Sequence, residues 1–241
     1  PQDKATASFD RAFSVLRQRQ NENGAFGYWA ANSFNSPPLD VYITLMLTEA
    51  KERGAPAPSD VREKALANLK QLVASPPTDL NDARLKAQAL YVLARNDQTA
   101  PAPTAAVADW LGRQKGAAND LAYVYLASAY VLTNSKDSAQ KVMSRFELAS
   151  KPAADSRAFT DEQLYRAQVL YLVAKHFPEK LDAMGPALLK QLTEGLASGV
   201  HSLSASWTLF ALDAYASTRE KTGGLLTHLT VETSDAAGKW K

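Results

Sequence analysis

Cysteine is absent from the 241-residue chain. Without a thiol there is no disulfide, no thiolate nucleophile and no cysteine ligand for a metal, and the absence suits a reducing and an oxidising compartment equally. No stretch of about 18 apolar residues runs free of charge, so no segment is built to cross a bilayer as a helix. An excess of one charge is lacking too. The 27 basic and 25 acidic side chains leave a formal net charge of +2, and they are scattered rather than gathered into the Lys/Arg clusters that neutralise phosphates. Nucleic acid and membrane are therefore not expected partners. The three histidines, His176, His201 and His228, do not pair at helical ligand spacing, which points to capping or surface roles rather than to a metal site. The chain starts at Pro1, with no basic-then-apolar leader, and is expected to be a piece of something longer.

What is present is helical periodicity of two kinds. Five segments carry one apolar face each: around Phe9–Leu16, Val61–Leu72, Val107–Leu111, Ala139–Phe146 and Leu181–Leu192. Between them lie five that are apolar nearly all round: Val41–Ala50, Leu85–Ala94, Leu121–Leu132, Leu164–Ala174 and Leu203–Ala216. A helix that is apolar on every side is sheltered on every side, so the second set should lie inside and the first should face water. Starts recur about every forty residues, the scale of helical hairpins. Ser59, Asp79, Thr104, Asn119, Thr160 and Ser202 are expected to cap first turns, and the Pro- and Gly-rich gaps stop the helices. The expected fold is all-α, about five hairpins of alternating outer and inner helices closed as an α/α toroid over residues 1–221. The tail, 222–241, breaks at Gly223-Gly224, and Leu225–Thr233 reads as a strand belonging to or leading into a neighbouring β domain.

Between the first two helical segments stands Gln20–Trp29, QNENGAFGYW. Gly24 and Gly27 permit positive φ where the chain turns inward, and Phe26, Tyr28 and Trp29 offer large apolar area to seal one end of the barrel. The spacing Gln-x-x-x-Gly-x-Phe-Gly-x-Trp resembles a motif shared across the α/α-toroid superfamily, which includes terpene cyclases, prenyltransferase β subunits and the thioester domains of complement and macroglobulins. The continuation is narrower. Gly27 to Leu72 resembles the thioester domain of bacterial alpha-2-macroglobulins, whose Gly-x-Trp leads to a Leu-x-x-Tyr-x-x-x-x-Leu-x-Glu-Ala-Lys-x-x-Gly helix. Leu39, Tyr42, Leu47, Glu49, Ala50, Lys51 and Gly54 occupy those places.

The resemblance implies a large periplasmic parent and a non-enzymatic domain acting in protease trapping or in contacts with proteins. The neighbouring β domains of the parent would be its partners, with proteases or other periplasmic proteins beyond them. It also implies a reactive Cys-Leu-Glu-Gln segment, and this chain departs from it by having no cysteine. Either the piece begins after that centre or the parent lacks it. The motif residues Gln20, Gly24, Phe26, Gly27, Trp29, Leu39, Tyr42, Glu49, Lys51 and Gly54 are expected to be structural, with no catalytic residue, metal or cofactor.

The alternative is an α/α-barrel enzyme of the terpene cyclase or glycosidase type, with a ligand in the central cavity. No Asp-x-Asp-Asp acid and no Gly-x-Ser-x-Gly elbow occurs, and a prenyltransferase zinc site would need the missing cysteine. Asp40, Asp79, Asp82, Asp120, Asp161, Glu162 and Asp213 lie at or in inner helices, where a facing pair could serve a glycosidase; most are placed to cap helices instead. The inner aromatics, from Tyr42 and Tyr91 to Trp207 and Tyr215, are expected to be core rather than the lining of a ligand cavity.

Overall fold

The computed structural model describes residues 2–149, 161–197 and 201–221. The chain is all-α. Its helices are α1 (Gln2–Arg19), α2 (Pro37–Glu52), α3 (Ser59–Leu72), α4 (Leu80–Arg95), α5 (Pro101–Gly112), α6 (Leu121–Leu132), α7 (Lys136–Met143), α8 (Glu162–His176), α9 (Leu181–Ala197) and α10 (Ser202–Lys221), with a 3-10 turn at Pro178–Lys180. Extended pairing among the described residues is confined to two isolated bridges, Gln20 with Phe26 and Gly27 with Asn35. The strand expected at Leu225–Thr233 lies outside the described residues. By compactness the chain divides into Pro1–Glu162 and Gln163–Lys241.

In the first unit the two kinds of helix behave as their patterns require. Helix α6 buries nine side chains, Leu121 to Ala129 without a break, and α4 buries Ala83, Lys86, Ala87 and Ala89–Leu93. Helix α3 buries only the stripe Val61, Ala65, Leu66 and Leu69, and α5 only Thr104, Val107 and Leu111. Tyr91 and Tyr125 meet edge to face at 5.6 Å, both fully enclosed, so the inner tyrosines are core.

Capping follows the expectation at one site and corrects it at others. Asp79 accepts from the Asp82 N–H at 2.9 Å and starts α4. At α6 the cap is Asp120 rather than Asn119, its carboxylate taking the Ala122 N–H at 2.9 Å. Ser59 and Ser202 are first helical residues instead of caps. Thr104 sits a turn inside α5, whose first turn is preset by Pro101 and Pro103, and returns its hydroxyl to the Ala100 carbonyl at 2.7 Å. Thr160 lies outside the described residues.

That last habit recurs at buried positions. Thr44 donates to the Asp40 carbonyl at 2.6 Å, Thr48 to Thr44 at 2.8 Å, Ser128 to Val124 at 2.8 Å and Thr208 to Ser204 at 2.8 Å. All four are at most 1% exposed. Each hydroxyl donates to its own helix, which satisfies its proton despite burial, and those of Thr48 and Thr208 also accept from the Asn96 and Gln163 amides of neighbouring helices.

In the second unit, α8 buries an almost unbroken run from Gln163 to Ala174. The Gln163 amide donates to the Leu192 carbonyl at 3.0 Å and to the Thr208 hydroxyl at 3.1 Å, tying α8 to α9 and α10. Gly195 lets that amide pack close, since a Cβ there would lie 2.0 Å from Gln163 Oε1 and make the side chain shift. Tyr171 and Trp207 pack edge to face at 5.4 Å. Helix α10 corrects the expectation of an inner helix sheltered all round: it buries Ser204, Trp207, Thr208, Ala211 and Ala214, while Leu209 is 69% exposed. Its sequence is apolar on more than one face, but the described residues cover one.

Candidate functional site

The motif turn between α1 and α2 is built from the inside out. Gln20 Nε2 donates to the Gly24 carbonyl at 3.2 Å and to the Val61 carbonyl at 2.8 Å, so one amide closes the turn and fastens it to the first turn of α3. Asn21 Oδ1 accepts from the Ala25 N–H at 3.0 Å. Gly24 has φ +87°, and a Cβ there would stand 2.1 Å from the Lys64 carbonyl oxygen. At Gly27 it would stand 1.8 Å from the Ala30 carbonyl oxygen. Both glycines are needed for close backbone approach, but only Gly24 takes a left-handed conformation; the positive φ expected at Gly27 is not adopted, and its need for glycine is steric alone. Gly24→Ala combines a left-handed backbone with a clash against α3; we expect a loss of roughly 2–3 kcal/mol in urea unfolding, and a loss below 1 would contradict the contact.

Phe26 is the keystone of this turn. Its ring is 0% exposed, in a cluster with Phe13, Ile43, Leu47, Val61 and Ala65 against which Leu39 packs. Its N–H donates to Asp40 Oδ1 at 2.7 Å, and Asn68 Nδ2 donates to Asp40 Oδ2 at 3.0 Å. One carboxylate in the first turn of α2 thus gathers the motif turn, α2 and α3.

Burial raises the Asp40 pKa from its ordinary 3.8, opposed by the Phe26 and Asn68 hydrogen bonds. The native state therefore holds this proton more tightly than the unfolded chain does. The stability that Asp40 contributes should fall as pH rises from 3.8 through the native value, then stay level. Comparing unfolding free energies of the wild type and Asp40→Asn across that window tests this, and parallel curves would refute it.

At the far end of α2, Glu49 Oε1 accepts from Arg95 Nη1 at 2.8 Å, and Arg95 also pairs with Glu52. Lys51 is exposed, and Gly54, at φ +76°, ends the helix with its N–H on the Lys51 carbonyl.

The outer side of the motif corrects the idea of a sealed barrel end. Trp29 is 82% exposed, Phe34 76% and Tyr42 36%. The backbone between the first two is nonetheless fixed. The Ser33 hydroxyl accepts from the Trp29 and Ala30 N–H groups at 3.0 and 2.8 Å and donates to the Ala30 carbonyl at 2.8 Å. Phe34 adopts φ +29° and leans on Tyr28 at 5.7 Å between ring centres. The turn anchors itself with Gln20, Phe26 and Asp40 and holds two large aromatics out in water.

The other carboxylates singled out from the sequence are engaged in structure. Asp82 accepts from Lys86 Nζ at 2.9 Å and from the Thr78 N–H at 2.9 Å, and Asp120 takes Arg84 Nε at 3.0 Å besides its cap. Asp120→Ala would remove a cap and strand Arg84, so thermal denaturation should show a loss of about 2 kcal/mol. His176 ends α8 and His201 precedes α10. Among the described residues no group of three or more His, Asp or Glu could hold a metal ion, and no described helix is long and apolar enough to cross a membrane.

No family model matches the sequence. Similarity to individual proteins is more informative. Alpha-2-macroglobulin of Rickettsia conorii is 33% identical over 219 residues, which is 87% of this chain and 11% of that protein. The chain belongs to the alpha-2-macroglobulin family. It spans between 10 and 12% of the length of the alpha-2-macroglobulins it matches. Solved structures agree on the fold. Native Escherichia coli alpha-2-macroglobulin, from domain MG7 to the C-terminus, superposes with a TM-score of 0.74 at 20% identity, over 88% of this chain and 35% of that one. The E. coli protein activated by porcine elastase gives 0.72 at 21% identity, over 90% and 20%. The chain has no cysteine, so no thioester cysteine lies within it.

Sequence reasoning found the motif but not its fastenings. Asp40 was weighed as a cap or a glycosidase carboxylate rather than as the buried anchor of Phe26, and Arg95 was not singled out at all. The available signal is the single charge that follows the apolar run Ala89–Ala94 and closes α4 at Arg95.

Proposed function

We propose that this chain is a non-enzymatic helical domain of a periplasmic bacterial alpha-2-macroglobulin-like protein, serving protease trapping through contacts rather than through a covalent bond. The observation that carries this is 33% identity across 87% of a chain without a single cysteine. The family scaffold is kept, but there is no thiol here to form an acyl link. In this proposal residues 1–221 are the helical domain and 222–241 lead into a neighbouring β domain. The motif residues from Gln20 to Gly54 act as scaffold, and the outward pair Trp29 and Phe34 is the contact surface for another domain of the parent. Two rigid aromatics presented to water by a backbone fixed through Ser33 suit an interface core.

The parent protein tests the proposal. Incubated with elastase, it should suppress cleavage of casein while sparing a small chromogenic peptide, because an enclosed protease keeps its active site but excludes large substrates. Trp29→Ser with Phe34→Ser should weaken that protection without unfolding the domain. Equal cleavage of casein with and without the parent would refute the trapping role.

A further inference from the structure

Three cations that the sequence scatters meet around one cleft. Helices α5 and α7 stand on either side of α6 and leave between them an opening of about 460 Å³. Its floor is apolar, formed by Leu111, the Tyr123 ring and Leu126. The Tyr123 hydroxyl is already committed, donating to the Leu111 carbonyl at 3.0 Å, so the floor offers the ring and not the phenol. Around the mouth stand Arg113, Lys141 and Arg145, with Asp109 as the one carboxylate in the lining.

These cations differ from the paired arginines of the fold. Arg17, Arg84, Arg95 and Arg219 all pair with carboxylates, whereas Arg113, Lys141 and Arg145 have none within ion-pairing distance among the described residues. Arg145 is also placed with some care. A Cβ on Gly112 would come within 2.9 Å of its Nη1, so the guanidinium from beyond the end of α7 lies against the last turn of α5. Arg113 and Arg145 follow helix C-termini, where the dipole favours a cation by about 0.3–1 kcal/mol. Lys141 stands in the last turn of α7 and gains in the same way, but the dipole does not account for the gathering of all three over an apolar floor.

We propose that this cleft docks an acidic peptide segment of a partner protein, one apolar side chain resting on Tyr123 and Leu126 and flanking carboxylates held by Arg113, Lys141 and Arg145. Guanidinium forks match carboxylates in geometry as well as charge. The volume suits one or two side chains. Nucleic acid is a poorer fit, because three cations in a chain of net charge +2 do not make the run of phosphate contacts that such binding rests on. The inference is independent of the trapping role and survives its failure.

The test is fluorescence anisotropy of a fluorescein-labelled Asp-Glu-Leu-Glu-Asp peptide titrated with the 241-residue chain at low salt. Arg113→Glu and Lys141→Glu change exposed side chains, so each should keep the wild-type circular dichroism and Tm. Each should weaken binding about tenfold or more, and Lys70→Glu on α3 should leave it unchanged. The Asn-Gln-Leu-Gln-Asn peptide should not bind, and added salt should weaken the acidic one. The proposal is overturned if the acidic peptide does not bind, if the amide peptide binds equally well or if neither charge reversal matters. It is also overturned if an oligothymidylate binds more tightly than the peptide and is lost in the same variants.

Discussion

Replacing Arg95 by alanine should cost the fold on the order of 3–5 kcal/mol, because it leaves a buried carboxylate without its main partner. The Arg95 side chain is 3% exposed and that of Glu49 6%, so their contact at 2.8 Å is made away from water. The guanidinium also pairs with Glu52 and stacks over the Tyr91 ring at 5.5 Å, while the adjacent Asn96 amide reaches the Thr48 hydroxyl at 2.9 Å. This cluster fastens the C-terminal ends of α2 and α4 to one another. Arg53 is a weaker partner for Glu49, its Nε 3.4 Å away on a half-exposed side chain. Guanidinium chloride unfolding at neutral pH reads the loss directly. Arg95→Met with Glu49→Leu should recover much of it, since removing both charges removes the stranded one. If Arg95→Ala alone loses less than about 1 kcal/mol, the network contributes little and the burial argument fails.

Phe26→Ala should be comparably damaging, about 3–5 kcal/mol, through lost transfer free energy and the cavity left among Phe13, Ile43, Leu47, Val61 and Ala65. The informative control lies three residues away. Trp29→Ala deletes a larger side chain, yet at 82% exposure it should change stability by no more than about 0.5 kcal/mol. Thermal or urea unfolding of the two variants side by side separates the anchoring side of the motif from its outward side. Equal losses would mean that Trp29 is packed in solution and that the division drawn here is wrong.

The pattern of apolar residues was enough to read ten helices in order, because a stripe and an all-round apolar surface leave different periodicities in the chain. It also marked α2, α4, α6, α8 and α10 as the sheltered ones, and α4, α6 and α8 are buried along most of their length. It misjudged α10, where Leu209 reaches water, since periodicity records that a face is greasy and not whether anything stands against it. The same limit applies to the motif turn. Phe26 and Trp29 are both large aromatics in a glycine-rich stretch, and composition alone gave them one role. The difference between them is set by Asp40, fourteen residues on, whose carboxylate takes the Phe26 N–H and turns that ring inward. The starts of α4, α6 and α10 were read within a residue or two, but Asn119 and Asp120 are both good cap formers and only the backbone geometry decides between them. The cleft cations were illegible for the opposite reason. Arg113 and Arg145 are thirty-two residues apart, and nothing in either neighbourhood announces the other.

The hydroxyls that close on their own helices carry a lesson about evolvability. Thr44 and Ser128 lie at crowded positions, yet each proton is satisfied one turn back along the same backbone. A residue facing them across the packing seam can mutate without orphaning a donor, so substitutions there need not arrive in coordinated pairs. Such a scaffold can wander far in sequence while each rod keeps its seat.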